Sequence, residues 1–482
     1  MKHRTTVGWL AAGMGLMVLL AGPTEANNIQ VATVALQNQN TDTKTVDVMF
    51  DLSWSNSWRD AENWDAAWVF VKFRAPGSND WQHATLSTNS ADHKPATSST
   101  IAAVPDGGGA FVYRAAGYTG SVNYVQTKLR WNYGTNGYNF AKGALVEVSV
   151  QAIEMVYIPA GAFYLGSGGS EVSHFYQFTD GTQSTNPYLV SSEAAITVGI
   201  INGNLYYASS TYGGDQAGTI SNGFPKGYAA FYCMKYEVSQ GQYADFLNKL
   251  TAAQDATRFP NYSDYRYTIG GTTTNRTASA PDRACNYLSW ADGVAYADWA
   301  ALRPMTELEF EKACRGPAPP VPNEYAWGST VITNLAIPEA GTPGSGTETP
   351  NPATANCCYN NAIGPTRVGI FATATAGRQG SGAGYYGVME LSGNVWERPV
   401  TVGNVAGRTF QGTVGNGVLD ASGNPTGNPD WPSLTGSGAG ARGGLSWYST
   451  DYLRSSDRFY AACLDADSWY IRHGSRAVRQ AP

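Results

Sequence analysis

The chain has 482 residues and a formal net charge of −6, with 31 Lys and Arg against 37 Asp and Glu. Only 14% of its residues are charged, against roughly 25% in an average soluble domain, whereas 43% are hydrophobic and there are 55 glycines, 14 tryptophans and 29 tyrosines. This composition excludes a disordered chain, because it can bury a core. It also argues against a nucleic-acid-binding protein, because no basic excess is present to displace counterions from phosphates.

The N-terminus has the pattern of a secretory signal peptide. Lys2, His3 and Arg4 are followed by an apolar stretch over residues 7–20, and small residues surround Ala26. We therefore expect a signal peptide over residues 1–26, since the apolar stretch is too short to span a bilayer. No later stretch reaches that length. The predicted location is periplasmic, cell-surface or extracellular.

The cysteine pattern favours disulfides or buried thiols over a zinc site. An even number in an exported chain permits disulfides, although six cysteines allow 15 connectivities. No CxxC pair is present, and the few histidines are widely scattered. We expect one disulfide between Cys285 and Cys314. The six residues are Cys233, Cys285, Cys314, Cys357, Cys358 and Cys463.

Residues 27–150 are predicted to form an antiparallel β-sandwich of the immunoglobulin-like type. Alternating or β-branched stretches lie at 46–54, 68–73, 122–131 and 144–150, with glycine-rich turns between them. The tryptophans of this region are either a carbohydrate-stacking platform or ordinary core and strand-face residues. They are Trp54, Trp58, Trp64, Trp68 and Trp81.

Residues 151–482 are predicted to form a second domain with little regular secondary structure, which makes the whole chain an α+β protein. A strand pair is expected over residues 155–166, around a Pro-Ala-Gly turn. Apolar spacing and capping residues predict helices over 240–250, 290–300 and 307–313. Residues 316–444 are mostly loop, a length of irregular structure that is uncommon unless it is functional or pinned.

Seven sequence motifs of this second domain give the chain a family resemblance. They are Met155 to Gly166, Tyr236-Glu237-Val238-Ser239, Ser289-Trp290-Ala291-Asp292, Leu302-Arg303-Pro304-Met305-Thr306-Glu307-Leu308-Glu309-Phe310-Glu311, Tyr325-Ala326-Trp327-Gly328, Gly393-Asn394-Val395-Trp396-Glu397 and Arg442-Gly443-Gly444. In this order they resemble the formylglycine-generating enzyme (sulfatase-modifying factor) family. The resemblance implies a fold related to C-type lectins, with small twisted sheets, two main helices and long loops.

The resemblance also implies an oxidase chemistry for which this chain lacks the residues. The family's enzymes oxidise a substrate cysteine by means of two cysteines near the C-terminus, whose soft thiolates hold copper. The matching positions are Thr450 and Ser455, and neither hydroxyl can form that site. We therefore expect no catalytic residues and no copper. The enzymatic alternative, a formylglycine-generating oxidase or related sulfur-oxidising enzyme acting on exported substrates, stays open.

A calcium site is implied at the turn around residues 387–398. The matching ligands are the Glu390 and Glu397 side chains and the Gly393 and Val395 carbonyls, and hard oxygen donors of this kind suit Ca²⁺. Such an ion would pin loops that have no secondary structure. Asn356 matches part of a second site. The alternative is that Glu397 only hydrogen-bonds the neighbouring loop.

The C-terminal segment is predicted to be a ligand-binding face. Its mixture of Tyr, Trp, Ser and Asp is typical of a paratope, in which rigid aromatic anchors alternate with adaptable hydrogen-bonding residues. Diversification by a retroelement is one hypothesis for this composition, and a drifted pseudoenzyme surface is the alternative. The predicted contacts are Trp447, Tyr448, Ser449, Thr450, Tyr452, Asp457, Phe459, Tyr460, Asp465, Asp467, Trp469, Tyr470, Arg472 and His473.

Together these patterns predict an exported, non-catalytic binding protein that recognises a protein or glycan ligand through residues 447–473. A structural protein of the cell surface is a third possibility. No nucleic-acid partner is expected.

Overall fold

The computed structural model describes residues 28–179, 185–208, 211–373, 376–463 and 472–482. The predicted signal peptide lies outside these ranges. In chain order the strands are β1 Gln30–Asn40, β2 Thr45–Arg59, β3 Asp65–Arg74, β4 Gln82–His83, β5 Ser99–Ala103, β6 Ala110–Arg114, β7 Tyr118–Trp131, β8 Glu147–Ile158, β9 Phe163–Leu165, β10 Tyr176–Gln177, β11 Tyr188–Val190, β12 Ile196–Val198, β13 Leu205–Tyr206, β14 Gly218–Ile220, β15 Phe231–Met234, β16 Ile269–Thr272, β17 Asn275–Ala278, β18 Arg303–Pro304 and β19 Ala477–Gln480. The α-helices are α1 Gln240–Leu247, α2 Ala252–Arg258, α3 Trp290–Trp299, α4 Glu307–Arg315, α5 Arg378–Ser381 and α6 Val405–Arg408.

A long antiparallel sheet joins the two halves of the chain. Its strand order is β18-β19-β15-β8-β3-β6-β5, with β4 also paired to β3, and a three-stranded sheet β1-β2-β7 packs against its N-terminal part. The central strand β8 pairs with β3 along its length and with β15 at its C-terminal end. The predicted domain boundary at residue 150 therefore falls inside a strand that both halves share.

Strand β3 separates two hydrophobic cores because its side chains alternate between the faces of the sheet. Val69 and Val71 face the three-stranded sheet, in the core of the N-terminal sandwich. Trp68 and Phe70 face the opposite way, against helices α1 and α3. Phe70 meets the Trp299 ring edge-on, with 5.2 Å between the ring centroids. Both faces of this strand are therefore buried, and the sheet is the middle layer of the protein.

The fold class predicted from the sequence, α+β with an N-terminal sandwich and a loop-rich second part, is confirmed. The predicted strand pair over 155–166 is wrong in one respect. Strands β8 and β9 do flank the Pro-Ala-Gly turn, but β9 pairs with β11 whereas β8 stays in the long sheet. Within the described ranges, no helix combines the length and the apolar character needed to cross a bilayer.

Candidate functional site

Helix α4 supplies the buried carboxylates beneath the C-terminal segment. Thr306 caps this helix: its hydroxyl accepts from the Glu309 N–H, and the Glu309 carboxylate accepts from the Thr306 N–H, at 3.1 and 3.0 Å. Gly316, with φ of 61°, ends the helix in a backbone conformation that favours glycine. Glu307 and Glu311 are four residues apart and so lie on one face of the helix.

Two arginines of the C-terminal segment bind these carboxylates. Arg458 donates to both oxygens of Glu307, at 2.7 and 2.9 Å. Arg442 bridges Glu307 at 2.9 Å and Glu311 at 2.8 Å. All four side chains are fully buried. Burial alone would raise the pKa of Glu307, but the guanidinium groups of Arg458 and Arg442 lower it, so the carboxylate stays charged. The C-terminal segment is thus held to α4 by charge-assisted hydrogen bonds.

Above this ion-pair network lies a group of aromatic side chains, here called the C-terminal aromatic cluster. Its members are Tyr212, Trp396, Trp447, Tyr448, Tyr452, Phe459 and Tyr460. Trp396 is buried at the base and the other rings are half-buried. The Tyr452 ring centroid is 5.0 Å from that of Tyr448 and 5.7 Å from that of Tyr460. These spacings are those of favourable aromatic pairs, so the rings support one another while part of each faces solvent.

Arg472 extends this surface with a positive charge. Its guanidinium carbon lies 4.7 Å from the Trp447 ring centroid and 5.3 Å from that of Tyr448. One guanidinium nitrogen also donates to the Tyr448 hydroxyl at 3.1 Å. Burial raises the pKa of Tyr448, so its hydroxyl stays protonated at neutral pH. The cation–π geometry holds the arginine flat against the aromatic cluster.

Most of the predicted ligand contacts that the structure describes lie together on this surface, exposed or half-buried. They are Trp447, Tyr448, Ser449, Thr450, Tyr452, Phe459, Tyr460 and Arg472. The predicted contacts Asp465, Asp467, Trp469 and Tyr470 lie outside the described residues.

The structure places the predicted contacts Asp457 and His473 inside the protein, where they cannot present a binding surface. Asp457 accepts hydrogen bonds from the backbone N–H groups of Phe459 and Val172, at 3.2 and 3.3 Å, and burial raises its pKa to about 7. His473 lies 2.9 Å from an Arg398 guanidinium nitrogen, and burial lowers its pKa. Both residues fix loops because their polar atoms face protein partners.

The two positions that correspond to cysteines in the oxidases are differently exposed. Thr450 is half-buried at the start of a short 3₁₀ helix over Thr450–Leu453, and Ser455 is buried. The Ser455 carbonyl accepts a hydrogen bond from Arg442 at 2.7 Å. Burial raises the pKa of the Cys314 thiol to about 12. A reactive thiolate pair is therefore absent from this described part of the segment.

The predicted Cys285–Cys314 disulfide is wrong, because all six cysteines are free, buried thiols. Cys285 lies in the core around α1 and α3, whereas Cys314 lies in a separate core with Cys233 and Phe310. The two thiols thus sit in different hydrophobic cores. Burial raises the pKa of each, which makes them inert structural residues.

The loop that the resemblance assigns to calcium contains buried carboxylate oxygens without hydrogen-bond partners. Glu390 Oε1 accepts from the Gly369 N–H at 2.9 Å, and Glu397 Oε1 accepts from Arg476 at 2.7 Å. The second oxygen of each carboxylate is buried and has no hydrogen-bond partner. Burial raises the pKa of Glu390 to about 7 and also raises that of Glu397. Unpaired buried oxygens of this kind fit a hard cation.

The fold brings a third carboxylate, that of Glu237, to this loop, and the sequence did not predict it there. It accepts from the Val395 N–H at 3.1 Å and from the Asn394 side chain. Burial first, and then Glu397 and Glu390, raise its pKa. Within the described ranges, no three His, Cys, Asp or Glu side chains converge to hold a metal ion. A cation in this loop would therefore depend on the backbone carbonyls of Gly393 and Val395.

The Asn356 side chain joins two neighbouring loops by hydrogen bonds. Its side-chain oxygen accepts from the Thr333 N–H at 2.8 Å, and its amide nitrogen donates to the Gln379 carbonyl at 3.0 Å. The predicted role of Asn356 in a second calcium site would require this amide to exchange its partners.

The five N-terminal tryptophans do not form one stacking platform. Trp54 and Trp68 are buried in the two cores, and the Trp64 ring stacks on Tyr157 at 4.0 Å. Trp58 and Trp81 line separate cavities. The five residues lie on different strands, sheets and turns, and therefore their density in the sequence does not produce a shared surface.

Residues 142–458 match the family model of the sulfatase-modifying factor enzyme 1-like domain, which is more than half of the chain. The chain belongs to this family. It is also 27% identical over 117 residues to the formylglycine-generating enzyme of Bos taurus, a match that covers 18% of this chain and 31% of the relative. The chain thus spans about a third of the length of that curated relative.

Proposed function

We propose that this family member is an exported binding protein that recognises a protein or glycan ligand through the C-terminal aromatic cluster, without catalysis. One observation carries the proposal: half-buried tyrosine and tryptophan rings are gathered on one surface beside Arg472. Such rings supply large contact areas and lose little conformational entropy on binding. Aromatic and arginine residues are also those that dominate binding free energies at interfaces.

The ion-pair network beneath the aromatic cluster supports this proposal because it makes the surface rigid. Arg442 and Arg458 fix the backbone on both sides of the half-buried rings to helix α4. A preorganised surface loses less entropy when its ligand docks. The segment can therefore vary its exposed side chains while its buried framework holds its shape.

The thiol chemistry supports a non-catalytic role. Formylglycine generation needs two accessible thiols, whereas Thr450 and Ser455 stand at the matching positions and burial raises the pKa of the neighbouring Cys314 thiol. A copper-dependent oxidase is the rival. Incubating the purified chain with Cu(I), oxygen and a cysteine-containing sulfatase peptide separates the two functions, because any copper-dependent turnover contradicts our proposal.

We propose in addition that Ca²⁺ binds the loop containing Glu390 and Glu397 and stabilises the surrounding irregular structure. The two buried carboxylate oxygens without partners support this role. Export is proposed from the predicted signal peptide, and N-terminal sequencing of the secreted protein tests it.

The binding role is tested with the full chain and variants of two half-buried rings. The immobilised protein is offered a glycan array and a display library of cell-surface and secreted proteins from the organism that makes it. The double substitution Tyr448→Ala with Tyr460→Ala should weaken the binding of any ligand that binds saturably at least tenfold, while the melting temperature changes little. Unchanged binding by this double variant would contradict the proposal.

The matched control is Tyr118→Ala. Tyr118 is 62% exposed on β7 of the N-terminal sandwich, remote in sequence from the C-terminal segment. This substitution removes a similar ring and should leave binding unchanged.

Retroelement diversification is tested separately by sequencing the flanking DNA. A near-copy of the last part of the gene beside a reverse transcriptase gene supports diversification. The buried positions of Asp457 and His473 predict that the exposed Ser449 and the half-buried Tyr448 vary more than these two.

A further inference from the structure

A cavity of about 320 Å³ lies where the N-terminal sandwich meets the family domain, the part of the chain within residues 142–458 that matches the family model. The residues that line this cavity take no part in the proposed binding face. One wall is the end of β2 and the turn after it, with Trp58 and Asn63. An adjoining wall is the loop containing Tyr386, and Lys235 and Tyr236 also line the space. Its size is within the range of small-molecule sites, which commonly form between packed domains.

The half-buried Trp58 is held in the cavity wall by contacts from both halves of the chain. The Asn63 amide donates to the Tyr386 carbonyl at 2.6 Å, which fixes the β2–β3 turn against the family domain. Gly387 has φ of 94°, and a side chain there would bring its Cβ within 2.8 Å of the Trp58 ring. Glycine therefore allows this loop to lie against the indole, and the cavity has a fixed aromatic wall.

The charge of Lys235 is compensated within the protein. Its ammonium lies 3.1 Å from Glu154 and 3.4 Å from Asp65, and it also lies 5.0 Å from the Trp58 ring centroid. One cation beside two carboxylates offers no net positive charge to an anionic ligand. The cavity therefore favours a neutral ligand with both apolar and hydrogen-bonding faces.

The remaining lining supplies those two kinds of contact. Tyr236 and Tyr386 add aromatic surface, whereas Asn56, Thr373 and Ser381 bring amide and hydroxyl groups. Aromatic rings together with neutral hydrogen-bonding groups suit the apolar face and the hydroxyl rim of a sugar ring. We infer that this cavity is a binding site for a neutral saccharide, with Trp58 as its stacking residue.

The test uses the full chain and a panel of glucose, galactose, mannose, N-acetylglucosamine and their disaccharides. Saturation-transfer NMR detects binding, and tryptophan fluorescence titration measures affinity. At least one neutral sugar should bind, and Trp58→Ala should weaken it at least tenfold. Trp81→Ala, which removes a tryptophan from a different cavity, should leave the affinity within twofold of the wild type.

A second variant keeps the test valid if Trp58→Ala does not fold. Ala376→Trp adds a ring at the half-buried rim of the cavity without removing a wall residue, and should abolish sugar binding at an unchanged melting temperature. Failure of the whole panel to bind, unchanged binding by Ala376→Trp, or tighter binding of glucuronate than of glucose would overturn the inference. Tyr448→Ala with Tyr460→Ala should not alter sugar binding, so this site and the proposed C-terminal face fail or succeed independently.

Discussion

Replacing Arg458 by methionine tests whether the C-terminal segment is held by its buried ion pairs. The guanidinium donates two hydrogen bonds to Glu307, at 2.7 and 2.9 Å, and one to the Ser173 carbonyl at 3.0 Å. It also lies against the Phe175 and Tyr207 rings, 4.0 and 4.1 Å from their centroids. The substitution keeps an apolar side chain against these rings but removes all three hydrogen bonds.

The expected loss in the free energy of unfolding depends on the partner that Glu307 retains. Removing one partner of a buried ion pair costs about 3–5 kcal/mol, because a charge is left buried without compensation. Arg442 still lies 2.9 Å from Glu307, so we expect the lower end, about 3 kcal/mol. Whole domains are stable by only about 5–15 kcal/mol, so this loss is readily measured.

The assay is equilibrium urea unfolding followed by tryptophan fluorescence, with near-ultraviolet circular dichroism as a report on the tyrosine environment. The matched control is Arg74→Met, whose ion pair with Glu147 has side chains 28% and 31% exposed. A partly exposed pair of this kind contributes about 0–1 kcal/mol. Equal effects of the two substitutions, or a loss below about 1 kcal/mol for Arg458→Met, would refute the reasoning.

Three further predictions concern charge, metal and thiols. Burial lowers the pKa of Lys72 to about 7 even though Asp298 raises it, so the unfolded chain binds more protons between pH 7 and 10.5. The free energy of unfolding should therefore rise with pH over this window, by at most about 5 kcal/mol from this residue. Lys72→Met should flatten the plot of unfolding free energy against pH in urea unfolding experiments. An unchanged slope in this variant would contradict the prediction. Ca²⁺ at about 100 times its dissociation constant should stabilise the chain by about 2.7 kcal/mol, seen as a higher melting temperature in calorimetry. The double substitution Glu390→Gln with Glu397→Gln should abolish this rise in melting temperature. A wild-type melting temperature indifferent to calcium and chelator would contradict this. Thiol titration without reductant should give six reactive groups after denaturation and essentially none in the folded protein, because all six cysteines are buried and free; four would indicate a disulfide.

The sequence was most informative where local patterns determine structure. Ser239, Ser289 and Thr306 each begin a helix through a reciprocal capping box, so the three main helices were predicted close to their observed bounds. Partial alternation likewise predicted β2, and a β-branched and aromatic stretch predicted β3. These features depend on neighbours a few residues apart, which a single sequence displays directly.

Long-range pairings could not be predicted in this way. Nothing local in residues 147–158 indicates that β8 would pair with β3 and β15 and so join the two halves. Asp457 and His473 were predicted on the binding face because the composition of the C-terminal segment is typical of a paratope, but partners distant in sequence, such as Val172 and Arg398, bind them inside. The carboxylate pair of Glu307 and Glu311 was not predicted from the sequence, because its arginine partners are brought to helix α4 only by the fold.

Ligand binding by the C-terminal aromatic cluster is tested most directly by one affinity measurement. The ligand captured by the wild-type chain is titrated calorimetrically into the wild type, the Tyr448→Ala Tyr460→Ala variant and the Tyr118→Ala control. We predict saturable binding to the wild type and the control. For the double variant we predict a dissociation constant at least ten times larger, with a melting temperature that is nearly unchanged. Equal affinity for all three proteins would contradict the assignment of the binding face to this cluster.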